Sequence, residues 1–111
     1  MEYKGSHLSR KVDFKRRFML PAKWVEDDVV EYCFVTSPIT QNNEIRLYTA
    51  EKWKNVLEAK QSDDAKGDFA KRTTHVRIDK QRRLLLPKEY VWKKVDLIGV
   101  LDFIIIIESV V

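Results

Sequence analysis

Apolar and polar positions alternate from Leu8 to Asp13, with Leu8, Arg10 and Val12 on one side and Ser9, Lys11 and Asp13 on the other. A period of two predicts a strand. Phe14 to Arg17 is polar enough to form a turn, and Phe18 to Leu20 is a short apolar strand. Pro21 stops the ladder because it has no N–H to donate. Proline also suits a first helical turn, so a short helix is expected from Ala22 to Asp28, anchored in the core by Trp24. Glu31 to Thr36 is rich in β-formers. Ser37-Pro38 and Gln41-Asn42-Asn43 carry turn residues, and Glu44 to Tyr48 alternates again, which together predict a hairpin. Thr49 is placed to cap a helix over Glu51 to Gln61, where Trp53, Val56 and Leu57 fall at i, i+3 and i+4; Lys52 at N3 leaves no capping box. Ser62 to Asp68 has the composition of a linker, and Phe69 to Arg72 adds one helical turn. Thr73 to Asp79 is again a strand, with Val76 and Ile78 inward. A turn, a strand from Leu84 to Leu86 and a helix from Lys88 to Lys93 follow. Val95 to Val100 and Phe103 to Ile107 form a closing hairpin. The four isoleucines lack polar alternation, which predicts a strand covered on both faces.

The order strand, basic turn, strand, short helix is therefore used twice. Val12-Asp13-Phe14-Lys15-Arg16-Arg17-Phe18-Met19-Leu20-Pro21 returns 66 residues later as Ile78-Asp79-Lys80-Gln81-Arg82-Arg83-Leu84-Leu85-Leu86-Pro87. The Asp, both arginines, the last Leu and the Pro are identical. Two copies are too few for a solenoid, so the repeat predicts a pseudo-symmetric pair that completes one core. A half of about 50 residues is marginal alone. The expected organisation is a first half at 1–60, a linker region at 61–72 and a second half at 73–111, interlocked in one mostly β, α+β domain.

Charge sharpens this picture. The net charge of +4 is modest, but its distribution is uneven. Residues 1–24 carry a balance of +5 and residues 71–94 one of +7, whereas residues 25–70 carry −5 and 95–111 add three acids. Positive charge thus gathers on the two repeat units, as on a polyanion-binding surface of an otherwise acidic body. Cys33 is the single cysteine, which excludes an intramolecular disulfide and favours a reducing compartment. The N-terminus lacks the order of a signal peptide, and the apolar run from Phe103 to Ile107 is too short to span a bilayer. A soluble cytoplasmic protein without a membrane partner is expected.

Candidate chemistry lies in the turns. Asp13 and Arg17, like Asp79 and Arg83, flank a turn so that the carboxylate can aim the guanidinium, which recognises phosphate or guanine bidentately. The same pair could equally serve only to staple the turn. On the DNA-binding interpretation, Lys15, Arg16, Lys80 and Arg82 contact phosphates, Arg17 and Arg83 read bases, and Lys11 and Arg77 extend the patch; Arg10 is ambiguous, since strict alternation turns it inward. Trp24, Trp53, Tyr90 and Trp92 suit core positions better than base stacking. His7 and His75 are expected on strand surfaces and Cys33 in the core. Asp27/Asp28 and Asp63/Asp64 are solubility charges, since sequence neighbours do not face each other on a helix. Without ligand spacing, a glycine-rich phosphate loop or a nucleophile–base pair, no metal, cofactor, small-molecule substrate or enzymatic activity is expected.

Arg10-Lys11-Val12-Asp13, Arg17 and Leu20-Pro21 resemble the AbrB-type DNA-binding unit, in which an Asp-x-x-x-Arg turn joins two strands ahead of a short helix. Two such units, with Leu47-Tyr48-Thr49-Ala50-Glu51-Lys52-Trp53 after the first and Leu97-Ile98-Gly99-Val100 with Ile107-Glu108 closing the second, resemble the MraZ family over nearly the whole chain. That resemblance implies a pseudo-two-fold swapped-hairpin β-barrel built from two ββαββ halves, association into homo-oligomeric rings, and double-stranded DNA as partner. It implies a bacterial, nucleoid-associated transcriptional regulator acting on repeats upstream of a division and cell-wall gene cluster. The chain departs from the family in three ways. Arg16 and Arg82 stand where glycine is usual, which is expected to change the turn; the stretch from Trp53 to Asp79 is short; and the family's C-terminal helical extension is not expected after Val111. Two other functions fit less well: an AbrB-type antitoxin, which needs a flexible toxin-binding tail, and an oligomeric protein-interaction ring that has lost DNA binding.

Overall fold

The computed structural model describes residues 1–37 and 43–110. In chain order the elements are β1 (Ser6–Lys11), β2 (Arg17–Met19), a 3-10 turn (Ala22–Trp24), β3 (Glu31–Thr36), β4 (Glu44–Thr49), α1 (Ala50–Glu58), α2 (Asp63–Lys71), β5 (Thr73–Arg77), β6 (Arg83–Leu85), β7 (Lys94–Val100) and β8 (Phe103–Glu108). The fold is α+β and mostly β. Among the described residues no helix is long and apolar enough to cross a membrane.

Six strands form one antiparallel sheet in the order β1-β7-β8-β4-β3-β5, and β2 pairs with β6 in a separate ribbon. Replacing each strand by its repeat mate (β1 by β5, β2 by β6, β3 by β7, β4 by β8) only reverses that order. The sequence repeat is thus a pseudo-two-fold of the fold. Each repeat lends its first strand to the other, since β1 pairs with β7 and β5 with β3. The radius of gyration, 13.5 Å, is near the ~13 Å of one domain of this length, so the two repeats share one body.

The barrel implied by the resemblance is not closed. β1 and β5 are the ends of the large sheet, and the ribbon's backbone is tied to them at the turns. The ties are the Val12–Phe18 bridge with Asp13 N–H to the Arg17 carbonyl (2.9 Å) in the first repeat, and Asp79 N–H to the Arg83 carbonyl (3.0 Å) in the second. With three residues each before Leu20-Pro21 and Leu86-Pro87, β2 and β6 are too short to carry the ladder further, because proline donates no N–H.

The inner sheet face and ribbon share the main core of Phe18, Leu84, Phe34, Ile45, Leu47, Val95, Leu97, Ile104 and Ile106, with Val76 and Ile78 packed against it. A satellite core under α1 and α2 joins Val35, Tyr48 and Phe69 to Trp53, Val56, Leu57 and Phe103. Trp24, Tyr90 and Trp92 are buried in the main core, as expected for large aromatic side chains.

Several elements depart from the sequence pattern. The helix expected over Ala22 to Asp28 is a single 3-10 turn, and that over Lys88 to Lys93 is a turn only. In both, one bond to the proline carbonyl (Trp24 N–H, 2.9 Å; Tyr90 N–H, 3.0 Å) brings the aromatic ring into the core, and the chain then leaves for the next strand. The linker-like stretch instead opens α2: Ser62 Oγ accepts the Ala65 N–H (3.1 Å), Asp63 and Asp64 sit in the first turn, and Phe69 is the buried anchor. Acids at a helix N-terminus complement its dipole. Thr49 caps α1 as expected, accepting the Lys52 N–H at 3.2 Å. The β3–β4 hairpin forms, and its connection at 38–42 lies outside the described residues. β8 is not covered on both faces: Ile104 and Ile106 are buried, whereas Phe103, Ile105 and Ile107 on the outer face are half-buried. β1 is bulged, with a register shift between His7 and Arg10 and Ser9 at φ 54°; the bulge turns Leu8 out to 64% exposure.

The N-terminal segment crosses β7 at Gly99. A Cβ there would lie 2.6 to 2.8 Å from Tyr3 and Lys4 backbone atoms. Paired bonds between Tyr3 and Leu101 (2.8 Å each way) hold the crossing in place.

Candidate nucleic-acid interface

The two turns are built alike, atom for atom. Asp13 Oδ1 accepts the N–H groups of Lys15 and Arg17 (2.9 Å each), and Asp13 Oδ2 accepts Arg17 Nε at 2.8 Å. In the second repeat Asp79 Oδ1 accepts Gln81 N–H (2.8 Å) and Arg83 N–H (2.9 Å), and Oδ2 accepts Arg83 Nε at 2.7 Å. Aspartate is chosen because its short carboxylate reaches backbone donors two and four residues on. Desolvation alone would raise each carboxyl pKa, but the N–H of Arg17 or Arg83, the guanidinium and the remaining turn N–H outweigh it. Both are held below the usual carboxylate value of 3.8. The carboxylate uses only Nε of each arginine, and among the described residues nothing holds the terminal guanidinium nitrogens.

Arg16 and Arg82 lie in left-handed backbone, at φ 64° and 63°. The turn expected to change with the loss of glycine keeps the positive φ that glycine would supply. Each of these residues also ties the repeats together: Leu86 N–H donates to the Arg16 carbonyl and Leu20 N–H to the Arg82 carbonyl, both at 2.8 Å.

The ribbon register decides which side chains share a surface. Arg17 opposes Leu85, Phe18 opposes Leu84 and Met19 opposes Arg83. Directly opposed residues share a face, so Phe18 and Leu84 fill the core while Arg17, Leu85, Met19 and Arg83 alternate on the outer face. A groove of about 480 Å³ adjoins this face, lined by Arg17, Arg83, Lys11, Asp13 and Met19 with Leu8, Ser9 and Arg10 from the bulged strand. At the site of the repeat mates of Leu8, Ser9, Arg10 and Met19 lies a second hollow of about 350 Å³, lined by Thr74, His75, Val76 and Leu85.

The sequence-derived candidates separate into three groups. Lys11, Arg17 and Arg83 converge on the groove, Arg17 held by Asp13 and Arg83 by Asp79, and Arg10 joins them. Lys15 and Lys80 are exposed on the turn tips. Arg16 and Arg82 are half-buried instead of solvated: Arg82 Nε reaches the Leu20 carbonyl (3.4 Å) and its terminal nitrogen the Met19 sulfur (3.4 Å), while Arg16 Nε is buried without a partner. Arg77 stands apart, exposed and bonded to Glu31 at 3.1 Å. Met19, Leu85, Leu8 and Phe14 were not singled out from sequence. The period of two along β2 and β6 places Met19 with Arg17, and Leu85 with Arg83; the exposure of Leu8 depends on the bulge.

His7 is half-buried, edge-on to Trp24 at 4.8 Å. His75 is exposed, edge-on to Trp53 at 5.1 Å, with Nδ1 3.3 Å from Cys33 Sγ. Burial, and then Glu31, push the Cys33 thiol up to about 11. It is therefore protonated at neutral pH, the opposite of the thiolate that a nucleophile or metal ligand requires. Among the described residues no three His, Cys, Asp or Glu side chains are grouped to hold a metal ion. No protein-family model matches the chain, and no curated protein matches it.

Proposed function

We propose that this chain is a sequence-specific, double-stranded DNA-binding transcriptional regulator that reads DNA with the β2–β6 ribbon. The observation that carries this is the twice-built Asp–Arg turn, which puts two pre-aimed guanidinium groups on the same outer ribbon face. A three-residue ribbon is about 10 Å long, and the B-DNA major groove, about 12 Å wide, admits a two-stranded β-ribbon. Arg17 and Arg83 would read base edges, while Lys11, Lys15 and Lys80 would neutralise phosphates and set the register. Arg16 and Arg82 tie the repeats together through their carbonyls, and Arg77 is engaged by Glu31 at 3.1 Å.

The finer attribution rests on the motif residues alone. In it the chain is MraZ-like, a swapped-hairpin barrel acting in the bacterial nucleoid on repeats upstream of a division and cell-wall gene cluster, as a homo-oligomer. One further observation supports self-association or another protein contact: the half-buried outer row of Ile98, Ile105 and Ile107 on β7 and β8.

Anisotropy of labelled duplex from upstream of the chain's own gene, against a scrambled duplex and over a salt series, tests the proposal. The native duplex should bind more tightly, with a negative salt slope. Arg17→Ala or Arg83→Ala should cost about 1–3 kcal/mol and blur the preference between duplexes. Lys80→Ala should weaken both duplexes alike and flatten the slope by about 0.9. Equal binding of both duplexes would remove sequence specificity, and absence of binding at low salt would remove DNA as the partner.

A further inference from the structure

Phe14 is 91% exposed, although phenylalanine is among the residues most often buried. It stands at the tip of the first turn, where its ring has the Lys15 ammonium 5.7 Å from the centroid. The backbone beneath it is fixed by the Asp13 carboxylate bonds to Lys15 and Arg17 and by the Arg16 bond to Asp13 (3.0 Å). A ring this exposed on a turn this firmly held cannot be withdrawn by a small local adjustment. Its repeat mate is Lys80, so one turn ends in an aromatic ring and the other in an ammonium. Because β2 and β6 are antiparallel, with Arg17 opposite Leu85 and Arg83 opposite Met19, the two tips lie beyond opposite ends of the ribbon.

Resting on the DNA-binding function proposed above, we infer that Phe14 is an apolar wedge that unstacks a base step at one end of the bound site. Apolar side chains inserted between base steps unstack and kink a duplex, and an aromatic face stacks on any base. Cations of the same repeat bring the ring to the duplex: Lys15 beside it, and Arg17 and Lys11 in the groove. Lys80 at the far end offers only a phosphate contact. The pseudo-two-fold ribbon thereby acquires a direction, and the protein sits on DNA in one orientation.

The test uses a duplex recovered from a random pool by binding to the full chain, with 2-aminopurine placed at successive positions. Bound wild-type protein should brighten the probe several-fold at one step near one end of the site. Phe14→Ala should abolish that brightening and weaken binding about tenfold, within the range for losing one base–aromatic stack. Its thermal midpoint should be unchanged, because the ring supports nothing in the fold. Phe14→Trp should keep the bright step, and Lys80→Phe should add a second at the opposite end. Wild-type brightening and affinity in Phe14→Ala would overturn the wedge while leaving DNA binding intact. Tight binding by wild type with no bright step anywhere would do the same. If no duplex is recovered even at low salt, the wedge and the DNA-binding function fall together.

Discussion

Arginine is a poor occupant of left-handed backbone, and this chain places it there twice. The conformation costs a residue with a Cβ roughly 1–2 kcal/mol, and a glycine would avoid it. Two other terms divide the pair. Arg16 buries an unpartnered Nε, whereas Arg82 recovers something through the Leu20 carbonyl and the Met19 sulfur. Arg16→Gly should therefore stabilise the fold by about 1 kcal/mol after the extra chain entropy of glycine is counted, and Arg82→Gly by less. Urea midpoints check both, and a fall in both would refute the strain account. The aspartates supply the matching acid sensitivity. Each folded pKa is lowered, so each contributes stability above its unfolded value of 3.8 and loses it as pH falls through the folded value. The Asp13→Asn, Asp79→Asn double variant should be less stable than wild type at neutral pH. It should lose less than wild type as pH falls below 3.8, as read by urea unfolding. That an Asp–Arg staple would form was legible from spacing, since all its partners lie within four residues. That Arg16 and Arg82 would turn toward the other repeat was not, because their partners lie 62 or more residues away.

Elements were legible where a local signal was sufficient. Thr49 before an apolar i, i+3, i+4 set predicts α1, and Thr49 caps it. The stretch opening α2 has the polar composition of a linker, which masks the signal it carries, a serine cap followed by two acids. Its single apolar anchor, Phe69, gains meaning only where Tyr48 and Trp53 meet it (ring centroids 6.3 and 6.0 Å away). The expected short helices stop after one turn: the proline starts each of them, and the buried aromatic, Trp24 or Tyr90, ends it. Gly99 shows how one element constrains another across the fold. The β7 pattern alone permits any small residue there, yet the N-terminal segment passes over it with no room for a Cβ. Gly99→Ala should cost about 1–3 kcal/mol, the usual range for overpacking, with early loss of amide protection at Tyr3 and Leu101. An unchanged urea midpoint would show that the segment can lift away at no cost.

For the whole molecule, the sequence by itself determined the repeat, the segregation of basic charge onto it and the chemistry of each turn. These depend on residue identity and on contacts within a few positions, so they are written locally. Only the tertiary structure decided that the repeats exchange their first strands, that β2 pairs with β6, and that Arg17 and Arg83 share one outward face with Met19 and Leu85. It also decided that the large sheet stays open and that the second repeat leaves the outer row of β8 half-exposed, while α1 and α2 cover the first. These pairings join residues between 38 and 92 positions apart through identical backbone groups, which carry no sequence label. The choice among pairings is made by which arrangement buries Phe18, Leu84 and the inner faces of both repeats together, a property of the assembled core and of no segment within it.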